Sequence, residues 1–456
     1  MRKKINIAGI ITYAILAVLA IVLYRERAAF LDISFHLFYI IKDGDFAIQN
    51  HRFVAGFTQL FPLLASKAGL GLESIMKLYS LSFVVLNAAI FFILSGLLKS
   101  WKFGLAVILL NTLMVTHTFY WIQSELQQGL PVLILTFGLL HYYAAKGRSS
   151  LGIKGLFFIL LITLVFAHPL VVFPFIFLSI FFVLYDRKSM RLYGLYAGVF
   201  IVLYFLKSIF FKTAYDSSSM GNLRNFISYF PNYFTLPSNK HFIHDVVNDY
   251  YFLVLGFLLV VWEYLRKKQY LKLVLVAASF LGYLLIVNVS FPDGAERFYM
   301  ENLYLPLSIF VIFPLVFDVA PRFNRKQIIR ALLLVLIIRI ADIYHTHRFY
   351  TNRVDYLNEL IDEVSKEEHK KVLIPQTDKM KSKLLMSWAT PYEVWLLSTI
   401  RTGHTTSIMV TDSDNNLDWM LHHNKKFVTR WGLFKYDDLP SKYFVLQDTS
   451  FYVIRR

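Results

Sequence analysis

The sequence predicts a mainly helical, polytopic membrane protein with a small C-terminal α/β domain. First, 57% of the 456 residues are hydrophobic and only 17% are charged, whereas a soluble domain has about 45–50% apolar and about 25% charged residues. Second, apolar runs of 18 or more residues recur, and each can cross a hydrocarbon core of about 30 Å. Third, the composition becomes more charged after residue 346.

Eleven spans are predicted within residues 1–345. A break at His168-Pro169 divides the long apolar stretch 152–185, because proline removes a backbone donor and the residue before it avoids helical geometry. Cations at the N-terminus and between spans mark the cytoplasmic side, so the C-terminal domain is expected outside. The predicted spans are 5–24, 73–98, 103–120, 126–145, 152–167, 169–185, 192–211, 250–265, 270–289, 303–319 and 327–345.

The charge and motif content exclude several protein classes. The net charge is +17, but the cations cluster in short loops between spans, so nucleic acid is not an expected partner. The absence of cysteine excludes disulfides and thiolate chemistry. The sequence has no glycine-rich phosphate loop, serine-nucleophile elbow or zincin helix, so a soluble nucleotide-using enzyme is not expected.

The outer segment 25–53 is the first candidate for chemistry. As a helix it places Asp32, His36, Tyr39 and Asp43 on one stripe, and Gly44 suits the left-handed position that ends a helix. We predict an interfacial helix with its apolar flank in lipid and its polar stripe facing a cavity. A solvated interfacial helix without chemistry is the alternative.

Further candidates lie close to the same membrane face. Asp32 and His36 could bind a divalent cation or form an oriented base, but metal sites usually need three or four protein ligands, so no metal ligand is assigned. Asp45 ends the helix or contacts a substrate hydroxyl. Arg52 could bind a phosphate or extend to lipid headgroups. Glu125 is an acid in a short outer loop.

The outer loop 291–302 contains one cation, Arg297, shortly before Tyr304. An arginine among acids at a membrane edge suits a lipid phosphate or diphosphate. The alternative is an Arg–Glu ion pair that holds the loop. Residues 241–249 contain histidines and aspartates but fit no zinc spacing, so a polar loop is predicted there.

The C-terminal domain, residues 346–456, is predicted to begin with an amphipathic helix over 350–369. Two further helices are predicted at 391–400 and 414–423. Short strands are predicted at 371–375, 405–412, 442–448 and 450–456.

The order of parts resembles the GT-C superfamily of polytopic membrane glycosyltransferases. The matching stretches are FLDISFHLFYIIKDGDF, FTQLFPLLASKAGLGLESIMKLYSL and ERFYMENLYLPL, although Ile33 stands where the more familiar acidic pair would have its second acid. The resemblance implies inverting transfer of a sugar from a polyprenyl-phosphate donor to a glycan, lipid or protein acceptor, on the outer face of a bacterial plasma membrane.

The same resemblance implies roles for the candidates. Asp32 would be the catalytic base and Arg297 the ligand of the donor phosphate. The remaining substrate-binding candidates are His36, Asp45, Arg52, Glu125 and Tyr304. Two alternatives stay open: a transporter or flippase of lipid-linked glycans that uses the same cavity without chemistry, and a membrane anchor that presents the C-terminal domain.

Overall fold

The computed structural model describes residues 1–147, 150–215, 222–411, 421–422 and 425–455. These ranges are mainly helical, as predicted, with a few short strands. The helices are α1 Arg2–Val22, α2 Tyr24–Ala28, α3 Asp32–Asp43, α4 Gly56–Lys67, α5 Leu72–Phe91, α6 Trp101–Leu110, α7 Glu125–Lys146, α8 Leu151–Val165, α9 Val172–Tyr185, α10 Met190–Phe210, α11 Asn225–Ser228, α12 Pro237–Asn248, α13 Tyr251–Arg266, α14 Tyr270–Ser290, α15 Arg297–Pro314, α16 Arg325–Ser365, α17 Asp378–Leu384 and α18 Thr390–Thr402.

Within the described ranges, six helical segments are long and apolar enough to cross a membrane. A seventh span results if α12 and α13, which meet at 92°, form one bent span. This composition is compatible with a multi-pass membrane protein, but the predicted count of eleven is not confirmed. The six segments are Arg2–Val22, Leu72–Leu97, Glu125–Lys146, Arg187–Phe210, Tyr270–Ser290 and Arg297–Arg322.

Predicted spans three, five, six and eleven are not among these segments, because the helices at those positions are too short or too highly charged. The apolar helices at predicted spans three, five and six have 10–17 residues. The predicted eleventh span is the first half of α16, a helix of 41 residues that includes Arg330, Arg339 and Asp342 in this part. Charges of this kind are costly in hydrocarbon unless they are paired inside the protein.

The predicted third span, 103–120, is wrong in its second half. α6 ends at Leu110, and residues 111–124 form a buried, largely irregular segment. Buried ions replace the missing helical hydrogen bonds: Glu301 accepts three backbone amides, from Thr116, His117 and Thr118. Arg339 donates to the carbonyls of Thr112 and Val115 at 2.9 and 3.1 Å. The segment therefore keeps a fixed path without regular structure.

The predicted domain boundary at residue 346 lies inside α16, which runs without a break to Ser365. A separate C-terminal domain is not confirmed, because the aromatic rings of this region pack directly against α3. The ring of Phe38 lies 5.1 Å from that of Tyr392 and 5.6 Å from that of Trp395, both in α18. One hydrophobic core therefore includes residues from both sides of the predicted boundary.

The C-terminal strands are β1 Lys371–Pro375, β2 Ser407–Thr411, β3 Lys426–Thr429, β4 Gly432–Lys435 and β5 Val453–Ile454. Three of them form a parallel sheet in the order β2-β1-β5, and β3 and β4 form a separate antiparallel hairpin. The strands β1 and β2 confirm two predictions, and β5 confirms the core of a third. The predicted strand 442–448 is wrong, since it contributes only an isolated bridge from Leu446 to Thr405. The predicted helix 414–423 lies almost wholly outside the described residues.

Candidate functional site

The predicted helix in the outer segment is α3, which begins at Asp32 and ends at Asp43. Gly44 follows it in the left-handed conformation, with φ of 63°. The predicted contact of its apolar flank with lipid is wrong. Its apolar residues are buried inside the protein, against α4 and the C-terminal helix α18. The polar stripe is not uniform either, because His36 is buried and Asp43 is exposed.

Asp32 is half-buried, and its carboxylate accepts a hydrogen bond of 2.9 Å from the indole Nε1 of Trp121. Burial raises the pKa of Asp32 to about 6, the Trp121 hydrogen bond opposes this rise, and the negative charge of Glu125 adds to it. A carboxylate with this pKa is ionised at neutral pH and is a stronger base than an ordinary aspartate.

Glu125 and Arg52 form an ion pair beside Asp32. Arg52 Nη1 lies 3.2 Å from Glu125 Oε2, and the two side chains are only 11% and 13% exposed. Glu125 is the first residue of α7, where a negative charge is favoured by the helix dipole. The Arg52 guanidinium carbon also lies 5.2 Å from the ring centre of Tyr215. A buried pair of this kind holds a cation in a fixed place.

A cavity of about 250 Å³ adjoins this ion pair. Its polar lining includes Arg52, His168 and Tyr299, and both Arg52 and Lys207 lie within electrostatic range of His168. Its apolar lining includes residues of the shorter helix α9 and of two helices that are long enough to span a membrane. These apolar residues include Ile286 and Val287 of α14 and Leu303 of α15. The cavity therefore joins a cationic region to a hydrocarbon-like wall.

Asp32 is linked to this cavity through two aromatic side chains. The ring of Trp121 lies 5.7 Å from that of Tyr299, and Tyr299 lies within electrostatic range of both Asp32 and Arg52. The structure thus brings together three of the seven candidates from the sequence, namely Asp32, Arg52 and Glu125. The carboxylate can act as a base, and the arginine can bind an anion.

Arg297 and Tyr304 lie at a different cavity, of about 360 Å³, with His241, His244 and Asp245. Arg297 forms ion pairs with Asp249 and, at 3.5 Å, with Asp245. Its charge is therefore compensated, as in the alternative that assigned it an ion pair, but the acids come from the end of α12 and not from its own loop. The Tyr304 hydroxyl donates to Asn288 Oδ1 at 2.6 Å.

His36 and Asp45 both contact backbone groups of the outer segment. The Nδ1 atom of His36 lies 2.8 Å from the Ala47 carbonyl oxygen, and burial lowers the pKa of this histidine to about 4. His36 is therefore neutral. Asp45 is exposed and accepts the amide of Phe46 at 2.7 Å. In the described part of the chain, no group of three or more metal-ligating side chains could hold a cation.

The sequence did not identify four of these residues as parts of a site, namely Trp121, Tyr215, His168 and Tyr299. The first of these has a local signal, because WIQSE places Trp121 four residues before Glu125 in the same short loop. The other three come from distant elements, and their convergence has no local signature.

Comparisons with protein families, curated proteins and solved structures find no match for this chain.

Proposed function

We propose that the protein is a membrane glycosyltransferase that transfers a sugar from a polyprenyl-phosphate donor to an acceptor hydroxyl on the extracytoplasmic face. One observation carries the proposal: a carboxylate with a raised pKa lies beside a buried arginine at the polar end of a largely apolar cavity. A lipid-linked donor needs the same combination, with a cation for its phosphate and apolar walls for the first part of its chain.

In the proposed reaction, Asp32 accepts the proton of the acceptor hydroxyl. The hydroxyl oxygen then forms a bond to the anomeric carbon, and the bond from that carbon to the donor phosphate breaks on the opposite face. The electron pair leaves with the phosphate, whose charge Arg52 stabilises. A negative charge near the sugar also favours the oxocarbenium-like transition state.

Arg52 replaces Arg297 as the proposed phosphate ligand. Both arginines have acidic partners: Arg52 pairs with Glu125, and Arg297 pairs with Asp245 and Asp249. Arg52 also lines the cavity near Asp32, whereas Arg297 is not among the described residues that line this cavity.

The basic test is donor turnover by the purified protein in proteoliposomes. We expect release of polyprenyl phosphate from a polyprenyl-phosphate sugar when an acceptor is present. Movement of the donor between leaflets without any release would instead support the transporter or flippase.

The two arginines can be compared directly. We expect Arg52→Met to raise the KM for the donor by about 10- to 100-fold, because a hydrogen bond to a charged group contributes about 1.5–3 kcal/mol. Arg297→Met should change the donor KM less than threefold. The measurement is the dependence of initial rate on donor concentration. A large effect of Arg297→Met together with a small effect of Arg52→Met would restore the assignment made from the sequence.

The pH dependence follows from the raised pKa of Asp32. Only the ionised carboxylate can accept a proton, so kcat/KM should fall about tenfold per pH unit below about pH 6. The donor is a phosphodiester and does not titrate in this range. Initial rates between pH 4.5 and 8 measure the midpoint. A rate that stays constant down to pH 5 would contradict the assigned base.

A further inference from the structure

The first turn of α3, which presents Asp32, lacks the cap that its own sequence could have provided. Leu31 is the N-cap residue, and its side chain cannot accept a hydrogen bond. In a capping box, Glu or Gln at the third helical position reaches back to the N-cap amide. Here that position is Ser34, whose hydroxyl donates to the Leu31 carbonyl oxygen at 2.7 Å.

A carboxylate from the C-terminal region accepts the N-cap amide instead. Glu393 Oε1 accepts the Leu31 amide at 2.7 Å, across 362 residues of sequence. Its other oxygen, Oε2, accepts from Arg353 Nη2 at 2.6 Å. Glu393 is 0% exposed and Arg353 is 2% exposed. The Arg353 Nε atom donates to the Leu384 carbonyl oxygen at 3.1 Å, which fixes the pair in turn.

The turn before Asp32 depends on such external contacts. Leu31 has φ of 42°, in the left-handed region that favours glycine. The ring of Phe30 lies 5.1 Å from those of Phe298 and Tyr350, and the Arg353 guanidinium carbon lies 5.0 Å from the centre of the same ring. A strained turn of this kind persists only where the surrounding structure holds it.

We propose that Glu393, fixed by Arg353, is a positioning residue for Asp32, so that the C-terminal region forms part of the active site. This inference rests on the proposed function for its catalytic meaning. Glu393 acts through the Leu31 amide, and Asp32 is the next residue. Loss of this hydrogen bond would release the first turn of α3 and let the carboxylate move away from Trp121.

Two matched double variants separate the effect of the hydrogen bond from the Leu31 amide to Glu393 from the effect of the Arg353–Glu393 ion pair. Arg353→Met/Glu393→Gln removes both charges but keeps a side-chain oxygen that can accept the Leu31 amide. Arg353→Met/Glu393→Met removes both charges and that oxygen, at similar side-chain volume. Any difference between the two variants therefore reports the cap.

A readout independent of turnover uses the absence of native cysteine. Asp32→Cys introduces a single thiol at the position of interest, and its rate of modification by a methanethiosulfonate reagent reports its exposure and placement. We expect modification at least tenfold faster in the Arg353→Met/Glu393→Met background than in the Arg353→Met/Glu393→Gln background. Equal rates would overturn the inference, whatever the activity.

Turnover is measured in the same backgrounds with Asp32 intact. A displacement of about 1 Å can reduce the rate by about 100-fold. We therefore expect kcat of Arg353→Met/Glu393→Met (the Met/Met variant) to be about 10- to 100-fold below that of Arg353→Met/Glu393→Gln (the Met/Gln variant). The donor KM should be the same in both variants. The pH midpoint should move down by about half a unit, because greater solvation lowers the carboxylate pKa. A merely structural role would leave kcat per folded molecule and this midpoint equal in the two variants.

The outcomes separate the inference from the proposed function. If wild-type protein releases no polyprenyl phosphate but the thiol rates differ as expected, the proposed function fails and the positioning of residue 32 by Glu393 stands. If the Met/Met variant does not fold, Glu393→Asp replaces it, since the shorter acid keeps its charge near Arg353 but cannot reach Leu31. An unchanged thiol rate in that variant would also overturn the inference.

Discussion

Asp32→Asn is expected to lower the rate of polyprenyl-phosphate release by about 100- to 10,000-fold, which is the usual contribution of a general base. The asparagine side chain has nearly the same shape and can still accept the 2.9 Å hydrogen bond from Trp121 Nε1. It cannot accept a proton from the acceptor hydroxyl. The donor KM should change little, because in our proposal Arg52 carries the phosphate contact. The measurement is release of polyprenyl phosphate in proteoliposomes at saturating donor.

The matched control is Asp43→Asn, which makes the same change of charge at the other end of α3. Asp43 is 48% exposed and pairs with Lys42 at the surface. We expect this variant to keep wild-type turnover. Equal rates for Asp32→Asn and wild type would reject Asp32 as the base.

Glu301→Leu is expected to lower the free energy of unfolding by about 3 to 9 kcal/mol, since each of three buried amides left without an acceptor costs about 1–3 kcal/mol. These amides belong to Thr116, His117 and Thr118, at 2.8, 3.1 and 2.8 Å from the carboxylate. The hydroxyls of Thr116, Thr118 and Tyr250 lose the same acceptor. Chemical denaturation in mixed micelles measures the change.

Glu301→Gln should fall between Glu301→Leu and wild type, because one amide oxygen remains as an acceptor while the amide nitrogen faces donors. Asp293→Asn, an exposed acid in the preceding loop, is the control and should change stability by less than about 0.5 kcal/mol. A loss below about 1 kcal/mol for Glu301→Leu would show that water can replace the carboxylate in this segment. Glu301→Leu should also reduce donor turnover in the molecules that stay folded, because the segment it releases contains Trp121.

Much of the helical architecture could be predicted from local pattern. Apolar length predicted α1, α7 and α14 within a few residues, and Gly44 marked the end of α3 because a left-handed residue is needed there. The count of spans could not be predicted in the same way. The predicted third span included residues 111–120, yet Glu301 and Arg339 bond to the backbone of this stretch and remove the need for a helix there.

In the candidate site, too, the sequence predicted some residues, and the tertiary structure determined their contacts. The sequence identified Asp32, Arg52 and Glu125 as polar groups in outer segments, but it favoured Arg297 over Arg52 for the phosphate because Arg297 is the one cation in its loop. Only the tertiary structure shows that two aspartates already contact Arg297. The partners of a buried charge are chosen by contacts over long sequence distances, which no local spacing records.

The sequence by itself determined that this chain is rich in membrane-length apolar helices and carries an acidic helix after the first of them. The tertiary structure alone decided that Asp32 lies next to the Arg52–Glu125 pair and that Glu393, 362 residues from Leu31, caps the helix on which Asp32 lies. The physical reason is that hydrophobic periodicity encodes which face of an element is buried, whereas the placement of a buried ion depends on which distant donors and acceptors the fold brings to it.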